Sequence, residues 1–551
     1  MSEAAINVAR EGSRRRLLIV AGFLAILYGL AINNQWAIRP DSATYLGVGQ
    51  SLAEGRGLTF NGSPAPALPP LVPLMVAACH LLVGGDYWLI NLVMKVFAVG
   101  AAVMSYAVVR RLGEGLSDGV REDMAIGAAL VAGTSARFFT DSTPVLTDIP
   151  FTFWFLVGLY GFVRGRTGHW GWTLAGSLVM VVAVATRYVG GVIFAGMVVA
   201  VLLDFRRPGH VKRSLAALAG FGVMAAGGVL LVTLARGPEA ALNLGRALLG
   251  LCQEQWNSLV YGPKVADLGL AVAALPKVVC ETVVDQEVKW FNVVPAGLVA
   301  VGLWASLRRK EKVAWVSVVA LVGFLVLLGR AAVAPRYLLP VLPLLAYFLL
   351  RGVHETAAWV KARRRRAAVG RGEGAAEPTE RRARVALTVT VAICLAVSLP
   401  KVFREIYWMR HPQFYEVYQK GRWQQWIEAC AYLRARGRPG DVVGTTETSV
   451  VHYLSGLRFR SETFRVEPDN PDTWQYGFGN LTGFPPRVFA EATAKSEIRF
   501  LVIPTDLRRT SDSWSESAMR AIEAQGAFGS PPKRFGNVAV YERLAAREAA
   551  P

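Results

Sequence analysis

WLINLVMKVFAVGAAVMSYAVVRR, residues 88–111, decides the fold class. Trp88–Val109 is almost wholly apolar, interrupted by Asn91, Lys95 and Ser105. About 20 such residues in a helix cross the roughly 30 Å hydrocarbon layer of a bilayer. Arg110 and Arg111 close the run. Lys and Arg collect on the cytoplasmic side of membrane proteins, so this stretch supplies both a span and its direction.

The same pattern repeats on either side. Leu17–Ile32 follows Arg14–Arg16 and reads as an uncleaved first span with a cytoplasmic N-terminus, since no convincing small-x-small cleavage site follows it. Further spans are expected over Met124–Phe139, Ile149–Val163, Trp172–Thr186, Val189–Leu203, Leu215–Leu234, Phe291–Leu307, Val313–Leu328, Tyr337–Leu350 and Val385–Leu399. That makes about eleven spans of the length a membrane requires. With this count the patches Arg14–Arg16, Arg110–Arg111, Arg164/Arg166, Arg206–Arg213, Arg308–Lys312 and Lys361–Arg384 all fall on one side. A miscount by one inverts everything after it. Leu68–Gly84, which carries Pro69, Pro70 and Pro73, is therefore left out as a re-entrant or interfacial helix on the outer leaflet.

Composition agrees. The chain has 551 residues, 53% hydrophobic and only 18% charged, where a soluble domain carries about 25% charge. Its 15 Trp, 16 Tyr and 25 Phe exclude disorder for most of the length. The formal charge of +20 lies in short patches between apolar runs, which argues against nucleic acid as a partner. Five cysteines form no CxxC pair and no HExxH occurs, so no zinc site is supported. Cys252 and Cys280 share an expected outer loop and can pair or stay free.

The expected architecture is a polytopic α-helical membrane protein. Residues 1–400 form the spans, with long outer loops at 33–87 and 237–290. Residues 401–551 are polar and carry no span; an odd span count places them outside the cytoplasm. There Arg422–Arg436 has an amphipathic helix pattern. Asp441–Thr445, Ile498–Pro504 and Val538–Arg543 read as strands, and Ser515–Gln525 as a helix, together a small extracytoplasmic α/β domain. Gly477, Gly479 and Gly483 lack the spacing and leading strand of a dinucleotide site. Asn61-Gly-Ser and Asn480-Leu-Thr match the glycosylation pattern, which is common by chance. Residues 367–380 form a Gly/Ala/Glu-rich cytoplasmic linker.

Ionisable residues near the outer ends of spans are costly there and mark function. Asp41 precedes an expected helix, Ser42–Leu52; it reads as an N-cap or as a carboxylate poised as general base. Asp148 opens the fourth span, and Asp141, seven residues earlier, reads as a cap. Arg187-Tyr188 and Arg336-Tyr337 read either as interfacial anchors or as a phosphate clamp. Lys95, inside the second span, either pairs with a carboxylate or snorkels.

Asp41-Ser-Ala-Thr-Tyr45, Leu52-Ala-Glu-Gly-Arg-Gly57 and Pro69-Pro-Leu-Val-Pro-Leu74 resemble the first outer loop of the GT-C membrane glycosyltransferases. The branch is that of the protein O-mannosyltransferases and the bacterial lipid A aminoarabinose transferase. The resemblance continues at Leu146-Thr-Asp-Ile-Pro-Phe151, Thr186-Arg-Tyr188, Pro335-Arg-Tyr-Leu-Leu-Pro340 and Val451-His-Tyr-Leu-Ser-Gly456. It implies a transferase that moves a sugar from a polyprenyl phosphate to an acceptor hydroxyl, with inversion, at the outer face of the cytoplasmic membrane. Asp41 would be the general base. Asp148 would orient the acceptor or, as in some members, help hold a divalent metal; the family often has Glu there. Arg336, Tyr337 and Arg187 would meet the donor phosphate, with Arg187 the weakest carry-over. No cofactor is assigned, and glycan, lipid and protein acceptors all stay open. The alternative from another class is a membrane transporter or lipid flippase, which is expected to show repeated halves or broken mid-membrane helices. Neither is seen in the sequence.

Overall fold

The computed structural model describes residues 3–64, 68–113, 115–167, 169–187, 276–283, 292–309, 335–369, 379–411, 421–445, 447–459, 486–494, 497–505, 512–529 and 531–544, with shorter pieces between them. It divides into two compact units. One comprises residues 1–34, 66–72 and 87–407; the other comprises 35–65, 73–86 and 408–551.

The first unit is helical. Its helices are α1 (Glu3–Gly29), α4 (Trp88–Leu112), α5 (Asp118–Thr134), α6 (Ala136–Asp141), α7 (Asp148–Thr167), α8 (Gly171–Thr186), α9 (Val293–Arg308), α10 (Leu342–Val369) and α11 (Thr379–Arg410), the last running three residues past the unit boundary. A 3-10 turn, Pro335–Val341, leads into α10. Among the described residues, Trp88–Leu112, Leu338–Arg363 and Glu380–Arg410 are long and apolar enough to cross a membrane; Gly171–Thr186 and Val293–Arg308 are shorter apolar helices. The expected spans at 189–203, 215–234 and 313–328 fall largely outside the described residues.

One expected span is divided. Met124–Phe139 is not continuous: α5 stops at Thr134, and the Ser135 hydroxyl accepts from the Phe138 N–H at 3.4 Å, starting the short α6. Serine is a strong N-cap because its oxygen takes up an amide that has no helical partner. Asp141 ends α6 rather than capping a start, and its carboxylate pairs with Arg137 at 2.8 Å, one turn away.

Glycine sets the closest packing. Gly176 of α8 lies against the backbone of Gly158, Gly161 and Phe162 of α7, so a Cβ has no room there. Likewise Gly302 of α9 faces the Phe348 carbonyl and Gly352 of α10 faces the Leu298 carbonyl. Small residues let membrane helices approach this closely. Arg309, just past α9, reaches Glu355 of α10 at 3.1 Å, so α9 and α10 run in the same direction.

The basic ends of several helices meet. Arg110 pairs with Glu122 at 3.4 Å and reaches Ser13; Arg384 pairs with Asp123 at 2.6 Å; Arg16 lies 3.9 Å from Asp123; Ser117 bonds Glu380. The segments the sequence assigns to one side of the membrane are thus linked to each other.

The second unit joins the segment that follows α1 to the C-terminal segment. The former supplies α2 (Pro40–Ala53), a hairpin of β1 (Thr59–Phe60) and β2 (Ser63–Pro64), and most of α3 (Leu71–Val83). Asn61 and Gly62 turn the hairpin with φ of 55° and 73°. Asn-Gly is the favoured pair for such a turn, so a structural reason exists for this triplet. Asn480 lies outside the described residues. The C-terminal segment contributes α12 (Gly421–Arg436), β3 (Val442–Thr445), α13 (Thr448–Ser455), β4 (Arg458–Phe459), α14 (Pro486–Ala494), β5 (Ile498–Pro504), α15 (Trp514–Gln525), β6 (Lys533–Phe535) and β7 (Val538–Glu542). The sheet order is β6-β7-β5-β3-β4, with β3 parallel to β4 and β5 and the other pairs antiparallel. β5 is buried along nearly its whole length, as a central strand covered on both faces should be. One core gathers Ile38 and Ala43 from the loop with Trp423, Trp426, Val443, Val450, Phe500 and Val540.

Candidate functional site

In the second unit, Asp41 stands in the first turn of α2 with an exposed side chain. The N-cap is Arg39, in extended conformation and without a side-chain cap bond, and Pro40 takes the first helical position. The reading of Asp41 as the cap is therefore corrected; a carboxylate in the first turn still favours the positive end of the helix dipole. α2 is firmly seated. Trp36 Nε1 donates to the Ser42 hydroxyl at 2.6 Å, Thr44 donates to Ser449 of α13 at 3.0 Å, and Ala43 is fully buried. The hairpin is fixed beside it, where the Asn61 N–H donates to His452 Nε2 at 3.2 Å and Phe60 packs edge-on to the His452 ring. His452 Nδ1 lies 2.7 Å from the Leu457 carbonyl, so the Nδ1–H tautomer fits both bonds. Burial lowers the pKa of His452 against the pull of that carbonyl, and Arg56 and Arg458 lower it further.

In the first unit, Asp148 begins α7 and is 4% exposed. Its backbone carbonyl accepts from Thr152 Oγ1 at 2.7 Å. Its carboxylate is ion-paired with Arg187, the residue that ends α8 in an extended conformation. The antiparallel α7–α8 pair, locked through Gly158, Gly161 and Gly176, brings these two ends together. Burying either charge alone is expensive, so the pairing is what makes the other tolerable at this depth. Arg336 sits partly buried on the 3-10 turn, which packs against α6 and α7. The side chain of Tyr337, and all of Tyr188, lie outside the described residues.

Of the two expected roles of Lys95, burial to 2% exposure excludes snorkelling, while the Glu405 carboxylate acts on its ammonium electrostatically. Its ammonium donates to Ser142 Oγ at 2.9 Å and Thr143 Oγ1 at 2.8 Å and lies 5.1 Å from the Phe139 ring centre. The Thr143 carbonyl also accepts from the Tyr87 hydroxyl at 3.3 Å. These bonds brace residues 142–147, the connection that delivers Asp148. Ser142 and Thr143 carry no motif signal, and only contact across the fold reveals them.

Among the described residues there is no group of three or more His, Cys, Asp or Glu side chains placed to hold an ion. Cys280 is buried, and Cys252 lies outside the described residues.

A polytopic bundle that carries buried charge at helix ends defines a helical membrane protein, and comparison with solved structures identifies its fold as that of the GT-C glycosyltransferases. The structure of ArnT from Cupriavidus metallidurans bound to undecaprenyl phosphate is 14% identical and superposes with a TM-score of 0.56, over 96% of this chain and 98% of that one. The archaeal oligosaccharyltransferase AglB from Archaeoglobus fulgidus, in complex with an inhibitory peptide and a dolichol-phosphate, is 14% identical with a TM-score of 0.53, over 96% of this chain and 74% of that one. Residues 76–234 match the family model described as dolichyl-phosphate-mannose-protein mannosyltransferase. A comparison of the sequence with curated proteins gives no match.

Proposed function

We propose that this protein is a glycosyltransferase that moves a sugar from a polyprenyl-phosphate donor to an acceptor hydroxyl at the outer face of the cytoplasmic membrane. The observation that carries the proposal is a fold shared over almost the whole chain with a protein whose structure holds undecaprenyl phosphate. The family model over residues 76–234 supports the same class. A donor anchored in lipid must be met at the membrane surface, and that requires chemistry at the ends of spans rather than within them.

In this reading Asp41 takes the proton from the acceptor hydroxyl. The hydroxyl oxygen forms a bond to the anomeric carbon as the bond from that carbon to the phosphate oxygen breaks. The configuration inverts, and the polyprenyl phosphate leaves with its charge met by Arg336 and Tyr337. Fixed positive charge aimed at a departing phosphate contributes more in a water-poor site than in water. Asp148 orients the acceptor, and Arg187 holds the Asp148 carboxylate in place. The second unit lies outside the cytoplasm, and the N-terminus inside it.

The test is transfer of a labelled sugar from synthetic polyprenyl-phosphate donors by the purified protein, together with lipid analysis of a deletion strain. Accumulation of one polyprenyl-phosphate sugar in the deletion strain identifies the donor. A strain with an unchanged lipid-linked sugar pool, and a purified protein that consumes no such donor, would refute the proposal.

A further inference from the structure

We propose that the groove between α9 and α10 is a binding site for the phosphate of an anionic glycerophospholipid, with Arg308 in its lining and Arg363, one turn beyond the lining Trp359, as its cationic contacts.

The groove has a volume of about 650 Å³ and is lined by residues that include Trp304, Arg308, Arg309, Glu355 and Trp359. Its walls are rigid. Gly302 and Gly352 place the two helices in backbone contact a short way along, and the Arg309–Glu355 pair ties them at the groove itself.

Charge in the groove is divided. Arg309 and the buried Arg351 both hold Glu355 at 3.1 Å, so that carboxylate is already matched by two guanidinium groups. Arg308 and Arg363 are different. Among the described residues neither has a carboxylate partner, whereas Arg110, Arg137, Arg187 and Arg384 each have one. Each is instead placed over a tryptophan one helical turn earlier: Arg308 lies 5.9 Å from the Trp304 ring centre and Arg363 lies 5.6 Å from that of Trp359. Both tryptophans are about three-fifths exposed, at 62% and 61%. A guanidinium held against a ring keeps its edge donors available, and the phosphate fork is the partner they match.

The occupant must also be greasy. Val293, Val294, Val301 and Trp304 are all exposed along α9, forming an apolar stripe that leads into the groove. A free anion has no use for that stripe, while an acyl chain lies along it with the phosphate at its basic end. Tryptophan and arginine at a helix end are also what the headgroup level of a bilayer favours. On α10 the groove lies several turns beyond the 3-10 turn that carries Arg336, and it has no part in the transfer chemistry.

The full-length protein in mixed detergent micelles, offered phosphatidylglycerol and phosphatidylcholine in equal amounts, is read by native mass spectrometry for retained lipid. The wild type should retain phosphatidylglycerol preferentially. Arg308→Gln with Arg363→Gln should lower that preference about tenfold. Trp304→Ala, which leaves every charge in place, should lower it in the same sense. Arg14→Gln with Arg15→Gln removes equal charge from another basic patch and should change it little. The proposal is overturned if both groove variants retain the lipid as the wild type does, or if the Arg14/Arg15 pair lowers retention equally, since the effect is then general surface charge. Soluble glycerol phosphate should not displace the lipid; equal competition by it would make this a free-phosphate site and overturn the lipid assignment.

Discussion

Asp148 and Arg187 form a buried ion pair, with side chains only 6% and 14% exposed, between the first residue of α7 and the residue that caps the C-terminal end of α8. Each charge is taken out of water, so removing one member of the pair leaves the other poorly compensated. Arg187→Ala leaves the Asp148 carboxylate buried and unmatched and should destabilise the first unit by about 3–5 kcal/mol. The double variant Arg187→Leu with Asp148→Leu should be distinctly more stable than the single one, though inactive. Melting temperature in detergent separates the three forms; additive effects of the two substitutions would show that the pair carries no coupling.

Asp41→Asn tests the general base. Because Arg39 and not Asp41 occupies the N-cap position of α2, the substitution leaves that position untouched, and the helix should persist. Transfer should fall about 10²–10⁴-fold at unchanged melting temperature. Full turnover in the Asn form would remove Asp41 from the mechanism.

Arg336→Ala should weaken use of the lipid-linked donor, and Arg336→Lys should restore only part, because lysine keeps the charge without the planar fork. Equal donor KM and turnover across the three forms would leave Arg336 a structural contact of its 3-10 turn.

Gly352→Ala puts a methyl group onto the Leu298 carbonyl, where nothing flexible can give way. Overpacking of this kind costs about 1–3 kcal/mol. Gly297→Ala, where a Cβ meets nothing within 4 Å, is the matched control and should be silent. The comparison is made by thermal unfolding of both variants.

His452 gives the second unit a pH dependence. Its pKa in the folded protein lies below the ordinary 6.5, chiefly through burial. The unfolded chain therefore binds the proton first as pH falls, and folding stability is complete above about 6.5 and declines below it. Protonation also removes the acceptor for the Asn61 N–H. The melting temperature should drop between about pH 7.5 and 5.5, and less steeply in His452→Gln. An identical drop in both forms would assign it to another group.

Much of the architecture was legible because membrane helices announce themselves by length and by their basic ends. Trp88–Leu112 is found almost to the residue, as are Ile498–Pro504 and the amphipathic Gly421–Arg436. The break at Ser135 was not, since one serine in an apolar run is ordinary and its capping bond is local geometry. Of the site, Asp148 and Arg187 were each visible as charges at span ends, but their pairing depends on glycines that bring α7 and α8 together. Lys95 was visible and its partners were not: Ser142 and Thr143 lie some 47 residues away along the chain and look like any loop hydroxyls. The union of residues 35–65 with 408–551 was equally hidden, because periodicity reports faces, not which distant face covers them.

That union has a consequence for biosynthesis. Ile38 and Ala43 share a core with Trp423, Phe500 and Val540, so the segment made first completes its packing with the segment made last. At about 5–20 residues per second, ribosomes need tens of seconds to make the intervening chain. For that interval the helix bearing Asp41 has apolar surface and no partner to cover it. A stop codon that removes only the final strands therefore leaves the early loop without its core.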